Sequence, residues 1–227
     1  MRKNIIYSLL LVVAALFAGC ESRLDIEKHG NMGDQNDFYQ TDEQTEQAVA
    51  SMYSSLKGLY YNWFFTKNLL SDDVWCGGGQ RGDNTSLEQL NEYTYGTDNG
   101  MIQGVFSGLY GLIYQSNLVI EKVADDTPAK KRAIAEAKFF RAWANFELVT
   151  LWGTAPLVDH LLKPGEYRQG NSTPEALWAA VESDLNDAIS MNALPSKKNK
   201  DDQETGMRVT QEVADTEIGR ASCRERV

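Results

Sequence analysis

The chain has 227 residues, of which 42% are hydrophobic, so it is long enough for one globular domain with a buried core. Its 32 acidic and 22 basic residues give a net charge of −10. Such a surface repels phosphate backbones, which excludes nucleic acid as an expected partner. The three cysteines lack paired spacing, which excludes a disulfide framework and a cysteine-ligated metal site.

Residues 1–19 have the pattern of a secretory signal peptide. Two basic residues are followed by an apolar run from Ile5 to Phe17, which is too short to span a membrane as a helix. The ending L-F-A-G-C resembles a bacterial lipobox, in which Cys20 becomes the lipid-modified first residue; the alternative is an ordinary signal peptide with a chance cysteine. Acyl chains on Cys20 anchor the mature chain firmly to a membrane.

The first helix is predicted beyond a polar tether, residues 20–40, that links the membrane to the domain. Thr41 is the predicted N-cap of a helix from Asp42 to Tyr60, whose apolar residues recur at steps of three and four. The aromatic-rich residues 61–70 are predicted to continue it, either bent or as a second short helix.

Residues 71–100 are predicted to form a long loop, because Gly, Asp and Asn dominate and no helical period remains. Loops of this length are uncommon unless they are functional or disordered. An aromatic face beside carboxylates and amides suits a sugar ring, so Trp75, Asp72, Asp73 and Asn84 are the candidate ligand-binding residues. The alternative is that Trp75 packs the loop onto the core.

A helical hairpin is predicted next. Its first helix runs from Gly100 to Val123 and carries a face of small residues, Gly104, Gly108 and Gly111. Each glycine costs about 1 kcal/mol of helix propensity, so close packing is expected there. After a short break, Thr127 and Pro128 start a second helix that Gly153 ends. So brief a turn makes the two helices antiparallel.

The remainder of the chain is predicted to contain a loop, a fourth helix, a charged loop and the start of another helix. Residues 154–172 form the loop, and a fourth helix begins at Thr173 and ends before Pro195. After a charged loop, the sequence Arg208-Val209-Thr210 resembles a known helix start, so the next helix is expected to begin there. Residues 217–227, EIGRASCRERV, look like a translated sequencing-library adapter, so protein sequence is expected to end near residue 216; the alternative is a real basic tail.

Two motifs in the hairpin resemble the signature of the SusD/RagB family of outer-membrane nutrient-uptake lipoproteins. The second helix and its exit read AEAKFFRAWANFELVTLWGTAPLV, and the first matches Y-x-x-I-x-x-x-N-x-x-I. The matching residues are Tyr110, Ile113, Asn117, Ile120, Ala135, Glu136, Ala137, Phe139, Arg141, Ala142, Phe146, Leu148, Val149, Gly153, Pro156, Leu157 and Val158. Members of this family are much longer, so the resemblance implies that residues 41–216 are the N-terminal, incomplete part of a SusD-like helical domain.

The resemblance implies an all-α fold, a SusD-like helical array with tetratricopeptide-like hairpins and long loops. Periodicity alone predicts only a helical array. The resemblance also implies a lipoprotein on the surface of the outer membrane. Such a protein binds an oligosaccharide and passes it to a SusC-like TonB-dependent transporter. Two alternatives stay open: peptide uptake, and a lipid-anchored scaffold that only organises protein partners.

Catalytic motifs are absent from the sequence. There is no HExxH, GxSxG or phosphate-binding glycine loop, and His29 and His160 have no ligand set. Asp72 and Asp73 could serve as glycosidase carboxylates, but adjacent acids in a glycine-rich loop are more often turn formers or solvated. We therefore expect no enzymatic activity, no cofactor and no metal ion.

Overall fold

The computed structural model describes residues 38–71, 73–198 and 206–224. The predicted signal peptide, Cys20, His29 and Asp72 lie outside these ranges. The helices are α1 (Asp42–Leu69), α2 (Thr85–Asn91), α3 (Gly100–Lys122), α4 (Pro128–Trp152), α5 (Pro174–Ser190) and α6 (Gln211–Arg224). The β pairing found in the described ranges is one isolated antiparallel bridge between Ala155 and Ser172. The all-α prediction is confirmed.

Helix α1 is longer than its apolar stripe predicts. It begins with a capping box, in which the Thr41 hydroxyl accepts the Gln44 N–H at 3.2 Å and the Gln44 side chain accepts the Thr41 N–H at 3.1 Å. It then continues to Leu69 as one element. The prediction of a second short helix in 61–70 is therefore wrong. That segment contains no Gly or Pro to interrupt the helix, and aromatic rings four residues apart contact each other along it.

Helix α2 lies inside the segment that was predicted to be entirely loop. The Asn84 side chain caps it by accepting the Leu87 N–H at 3.3 Å. Leu87 and Leu90 are buried in a small cluster with Leu69 and Met101, at the junction of α1 and α3. Two leucines in a seven-residue helix give too little periodicity for a sequence pattern to detect.

Helix α3 packs against α1 through Gly104 and Gly108. A Cβ on Gly108 would lie 2.8 Å from Cδ1 of Leu59, and one on Gly104 would collide with the Asn62 side chain. The predicted close packing is confirmed at these positions. It is wrong at Gly111, where a Cβ would meet no atom within 4 Å.

Helix α4 lies at the centre of the array, in contact with α1, α3, α5 and α6. The Thr127 hydroxyl accepts the Lys130 N–H at 3.2 Å, Pro128 is the first helical residue, and Gly153 ends the helix with a φ of 72°. Five of its six alanines are fully buried: Ala133, Ala135, Ala137, Ala142 and Ala144. Small side chains let its neighbours approach from several sides at once.

The last two helices extend the array outward from α4. Helix α5 packs on α4 and α6 packs on α5. Helix α6 begins at Gln211 rather than at Arg208, whose side chain instead enters the core. The adapter interpretation of residues 217–227 stays a prediction. Over the described ranges, no helix combines the length and the apolar character needed to cross a membrane.

Candidate functional site

The loop that precedes α2 is organised around the carboxylate of Asp83. Its Oδ2 accepts the N–H groups of Gly79, at 2.7 Å, and Gln80, at 3.0 Å. Gly82 has a φ of 91°, a conformation that favours glycine. The glycine-rich sequence therefore folds as a turn around its own acid, with Asp83 in a structural role.

Glu88 of α2 and Glu92, the C-cap residue of that helix, hold this loop against it. The Arg81 guanidinium contacts the Glu92 carboxylate at 2.7 Å, and the Gly82 N–H donates to Glu88 Oε1 at 2.7 Å. The hydrogen bond to Glu92 raises the pKa of Arg81, so the guanidinium stays charged. This arrangement keeps Arg81 and both carboxylates on one side of the loop.

The side chain of Asn91 positions the backbone on both sides of Trp75. Its Oδ1 accepts the Cys76 N–H at 3.0 Å, and its Nδ2 donates to the Val74 carbonyl at 3.3 Å. The Trp75 side chain points outward and is 78% exposed. The alternative that Trp75 packs the loop onto the core is therefore wrong.

A cavity of about 210 Å³ lies between this loop and α2. Its lining residues are Trp75, Cys76, Gly77, Gly78, Gln80, Arg81, Glu88, Asn91 and Glu92. Partial burial, together with the Glu88 and Glu92 charges, raises the pKa of the Cys76 thiol, which keeps it protonated and unreactive at neutral pH. The cavity thus presents an indole face, a guanidinium, carboxylates and amides within one small space.

Of the four candidate ligand residues, the structure places Trp75 at the cavity. Asp73 is exposed, and its N–H donates to Ser71 Oγ at 3.3 Å. Asn84 is the cap of α2, and neither residue lines the cavity. Asp72 lies outside the described residues, and a ligand-binding role for all four stays a prediction.

Sequence reasoning missed Glu88, Asn91 and Glu92 as cavity residues. These positions are separated by three and four residues, so a helix places them on one face. The signal was therefore present, but it could be used only once residues 85–91 were known to be helical. Arg81 was missed as well, since its contact with Glu92 crosses the loop.

The polar residues of the two motifs hold the loop that follows α4. The Tyr110 hydroxyl donates to the Pro156 carbonyl at 2.6 Å, and burial raises the pKa of that phenol. The Asn117 amide donates to the carbonyls of Val158, at 3.3 Å, and His160, at 2.9 Å. These side chains are therefore part of the scaffold rather than of a ligand site.

Glu136, also a motif residue, is a fully buried carboxylate. It accepts hydrogen bonds from Arg132, at 3.0 Å, and Arg208, at 3.0 and 3.1 Å. The Tyr53 hydroxyl adds a contact at 3.3 Å. Burial raises the pKa of Glu136, and the two guanidinium groups oppose that rise. The cluster joins α1 and α4 to the segment before α6.

His160 has partners that the sequence does not indicate. Its Nδ1 lies 2.7 Å from Asp159 Oδ1 and its Nε2 lies 3.4 Å from Glu166 Oε2. Both partners belong to the loop after α4, so these are contacts within that loop. In the part of the chain that the structure describes, no group of three or more His, Cys, Asp or Glu side chains is arranged to hold a metal ion.

Comparisons with known proteins agree with this architecture. A SusD-like family model, described as "Starch-binding associating with outer membrane", matches residues 27–220. A SusD-like protein of Bacteroides ovatus is 32% identical over 166 residues, which are 67% of this chain and 29% of that protein. A SusD-like protein of Formosa agariphila is 26% identical over 205 residues, which are 84% of this chain and 40% of that protein.

Among solved structures, a laminarin-binding SusD-like protein superposes with a TM-score of 0.72 at 26% identity. The match covers 82% of this chain and 41% of that one. The chain thus spans less than half the length of these relatives. Because the family model matches most of the sequence and the helical array superposes on a solved member, this chain belongs to the SusD-like family.

Proposed function

We propose that this chain binds a neutral oligosaccharide at the cavity beside Trp75. The observation that carries the proposal is an exposed indole surrounded by fixed polar groups. The C–H face of a sugar ring stacks on an aromatic ring, while its hydroxyl groups exchange hydrogen bonds with charged and amide side chains. The laminarin-binding relative supports a glycan over a peptide.

The charges of the cavity favour a neutral glycan over an anionic one. Arg81 is already paired with Glu92, and Glu88 adds a second carboxylate to the same wall. A uronic acid or a sulfated sugar therefore meets excess negative charge, which opposes its binding. Both carboxylates are held by the loop, through Arg81 and the Gly82 N–H, which suits recognition rather than proton transfer. We propose binding without catalysis.

The proposal includes a membrane anchor and a transport partner. Lipid on Cys20 tethers the protein to the outer membrane, with which the family model is associated by its description. The bound oligosaccharide then passes to a SusC-like TonB-dependent transporter in the same membrane. The lipobox-like ending of residues 1–20 and the membership of the family support this part.

Titration calorimetry with laminarin and with other neutral glycans tests the binding proposal. We expect saturable binding that Trp75→Ala weakens about tenfold, the amount expected for one lost aromatic contact of roughly 1.4 kcal/mol. Tyr167→Ala is the matched control, because Tyr167 is 68% exposed on another loop and does not line the cavity.

Two results contradict the proposal in different ways. Binding that Trp75→Ala leaves unchanged, or that Tyr167→Ala weakens equally, excludes the cavity as the glycan site. Absence of binding to every glycan in the series contradicts glycan recognition and favours the scaffold alternative.

A further inference from the structure

A groove of about 300 Å³ lies between α1 and α3, at the opposite end of α1 from the Trp75 loop. Helix α1 contributes Gln47, Ala48 and Ser51 to this groove, and α3 contributes Tyr114 and Leu118. Ala48 and Leu118 are buried and form its floor. Because Ala48 and Ser51 are small, α1 leaves open space between itself and α3 at this level. A volume of this size suits a small ligand.

Aromatic rings supply part of the groove wall. Tyr114 is 50% exposed, so its ring is accessible from solvent. Phe38 and Tyr39 lie beside it, with their ring centroids 5.2 Å apart in an edge-to-face contact. Burial, and then the neighbouring Tyr114 phenol, raise the pKa of Tyr39, which therefore stays neutral at neutral pH. The groove thus offers an uncharged aromatic surface.

The polar side chains of the groove are uncharged as well. Gln47 and Ser51 are both exposed and lie one helical turn apart on α1, so an amide and a hydroxyl share one edge of the groove. None of the described residues that line it is charged. An ionic ligand finds no opposite charge there. An apolar ligand makes no use of the donors and acceptors on the α1 edge.

We propose that this groove is a second binding site for a sugar ring of a neutral polysaccharide. The C–H face of the ring stacks on Tyr114, and its hydroxyl groups exchange hydrogen bonds with Gln47 and Ser51. The inference rests on the proposed function, because a polysaccharide presents the same sugar unit many times along its length. The Trp75 cavity offers the same combination of an aromatic face and hydrogen-bonding side chains.

Two sites at opposite ends of α1 favour a long glycan over a short one. From Ser51 to Leu69, α1 advances 18 residues, which is roughly 27 Å at about 1.5 Å per residue. A disaccharide therefore occupies one site at a time, whereas a polymer reaches both. Once one site is filled, binding at the other is intramolecular, which raises the overall affinity above that of either site.

Methyl NMR of the purified full-length chain, titrated separately with maltose and with laminaribiose, tests the groove. These are disaccharide units of starch and laminarin, the glycans named for the family model and for the solved relative. We expect saturable shifts of the Leu118 and Val119 methyl resonances with at least one of them. Tyr114→Ala should weaken this binding about tenfold, whereas Tyr114→Phe, which keeps the ring face, should leave it within about threefold.

Tyr60→Ala is the matched control, because Tyr60 is 57% exposed on α1 but does not line the groove. It should leave the methyl shifts unchanged. A parallel titration with toluene separates a sugar site from an apolar one. Three results overturn the groove as a sugar site: no saturable shift with either disaccharide, equal weakening by Tyr60→Ala, or shifts with toluene and with neither sugar.

Trp75→Ala should leave the disaccharide shifts at Leu118 and Val119 intact, so failure of the Trp75 site is distinguishable from failure of the groove. Titration calorimetry then compares the polymer with the disaccharide that gave the shifts. The native chain should bind the polymer at least about tenfold more tightly, and both Tyr114→Ala and Trp75→Ala should remove that gain. A gain that survives Tyr114→Ala overturns binding at two points.

Discussion

The guanidinium of Arg141 holds both carboxylate oxygens of Asp184, with Nε 2.7 Å from Oδ2 and Nη2 2.7 Å from Oδ1. Both side chains are nearly buried, one on α4 and the other on α5. The remaining nitrogen, Nη1, donates to Asn117 Oδ1 at 2.8 Å and to the Asp159 carbonyl at 2.7 Å. One motif residue thus joins three helices and the loop after α4.

Replacement of Arg141 by Ala should lower the free energy of unfolding by about 3–5 kcal/mol, because it leaves the Asp184 charge buried without a partner. Urea denaturation measures the loss. Lys138→Ala is the control on the same two helices. Lys138 Nζ lies 2.6 Å from Asp187 Oδ2, and the Asp187 side chain is half exposed. That change should cost only about 0.2–1 kcal/mol. If both variants lose the same free energy of unfolding, the burial of the Arg141–Asp184 pair does not increase its contribution to stability.

The glycines of α3 should respond to alanine in opposite directions. Gly108→Ala places a methyl group against buried Leu59, so it should destabilise the protein by about 1 kcal/mol after the gain in helix propensity. Gly111→Ala points into open space and should stabilise it by about 0.5–1 kcal/mol. Thermal unfolding of both variants shows whether each substitution raises or lowers the stability of the protein. Destabilisation by Gly111→Ala would contradict the exposed position of that residue.

The stability of the loop after α4 should depend on the protonation of His160. Its hydrogen bonds with Asp159 and Glu166 raise the pKa of the imidazole above the ordinary value of about 6.5. Because the folded pKa exceeds the unfolded one, the stabilisation is fully present below about pH 6.5 and is lost as the pH rises through the folded pKa. An NMR titration of the ring protons measures that pKa.

Asp159→Asn and Glu166→Gln provide the controls for this titration. Each removes one of the two carboxylates, so each should lower the pKa of His160 toward its ordinary value. A histidine that titrates at the same pH in the native chain and in both variants would contradict the observed contacts.

Substitution of Cys20 by Ala should release the protein from the membrane fraction of the cells that produce it. The lipid is the proposed anchor, and the described residues contain no helix able to cross a membrane. Cys76→Ala is the control. Cys76 is a free thiol in the loop before α2, so its substitution should leave the protein in the membrane fraction. Membrane retention of the Cys20 variant would contradict lipid anchoring at this residue.

The start of α1 and both ends of α4 could be predicted because their signals are local. The Thr127 hydroxyl accepts the N–H of Lys130, three residues away, and Gly153 ends the helix by adopting a positive φ. Helix α2 and the exposure of Trp75 could not be predicted. The first depends on the burial of Leu87 and Leu90 against α1 and α3. The second depends on an amide, Asn91, that lies across the loop.

By itself, the sequence determined the all-α class, the helical hairpin and the family, because capping, periodicity and motif residues act over one or two helical turns. Only the tertiary structure decided what the motif residues do: Arg141 reaches Asp184 across 43 positions, and Asn117 reaches the loop across 41 and 43. The tertiary structure also decided which side chains share a cavity with Trp75. Contacts of that range depend on how the helices pack, which no local pattern records.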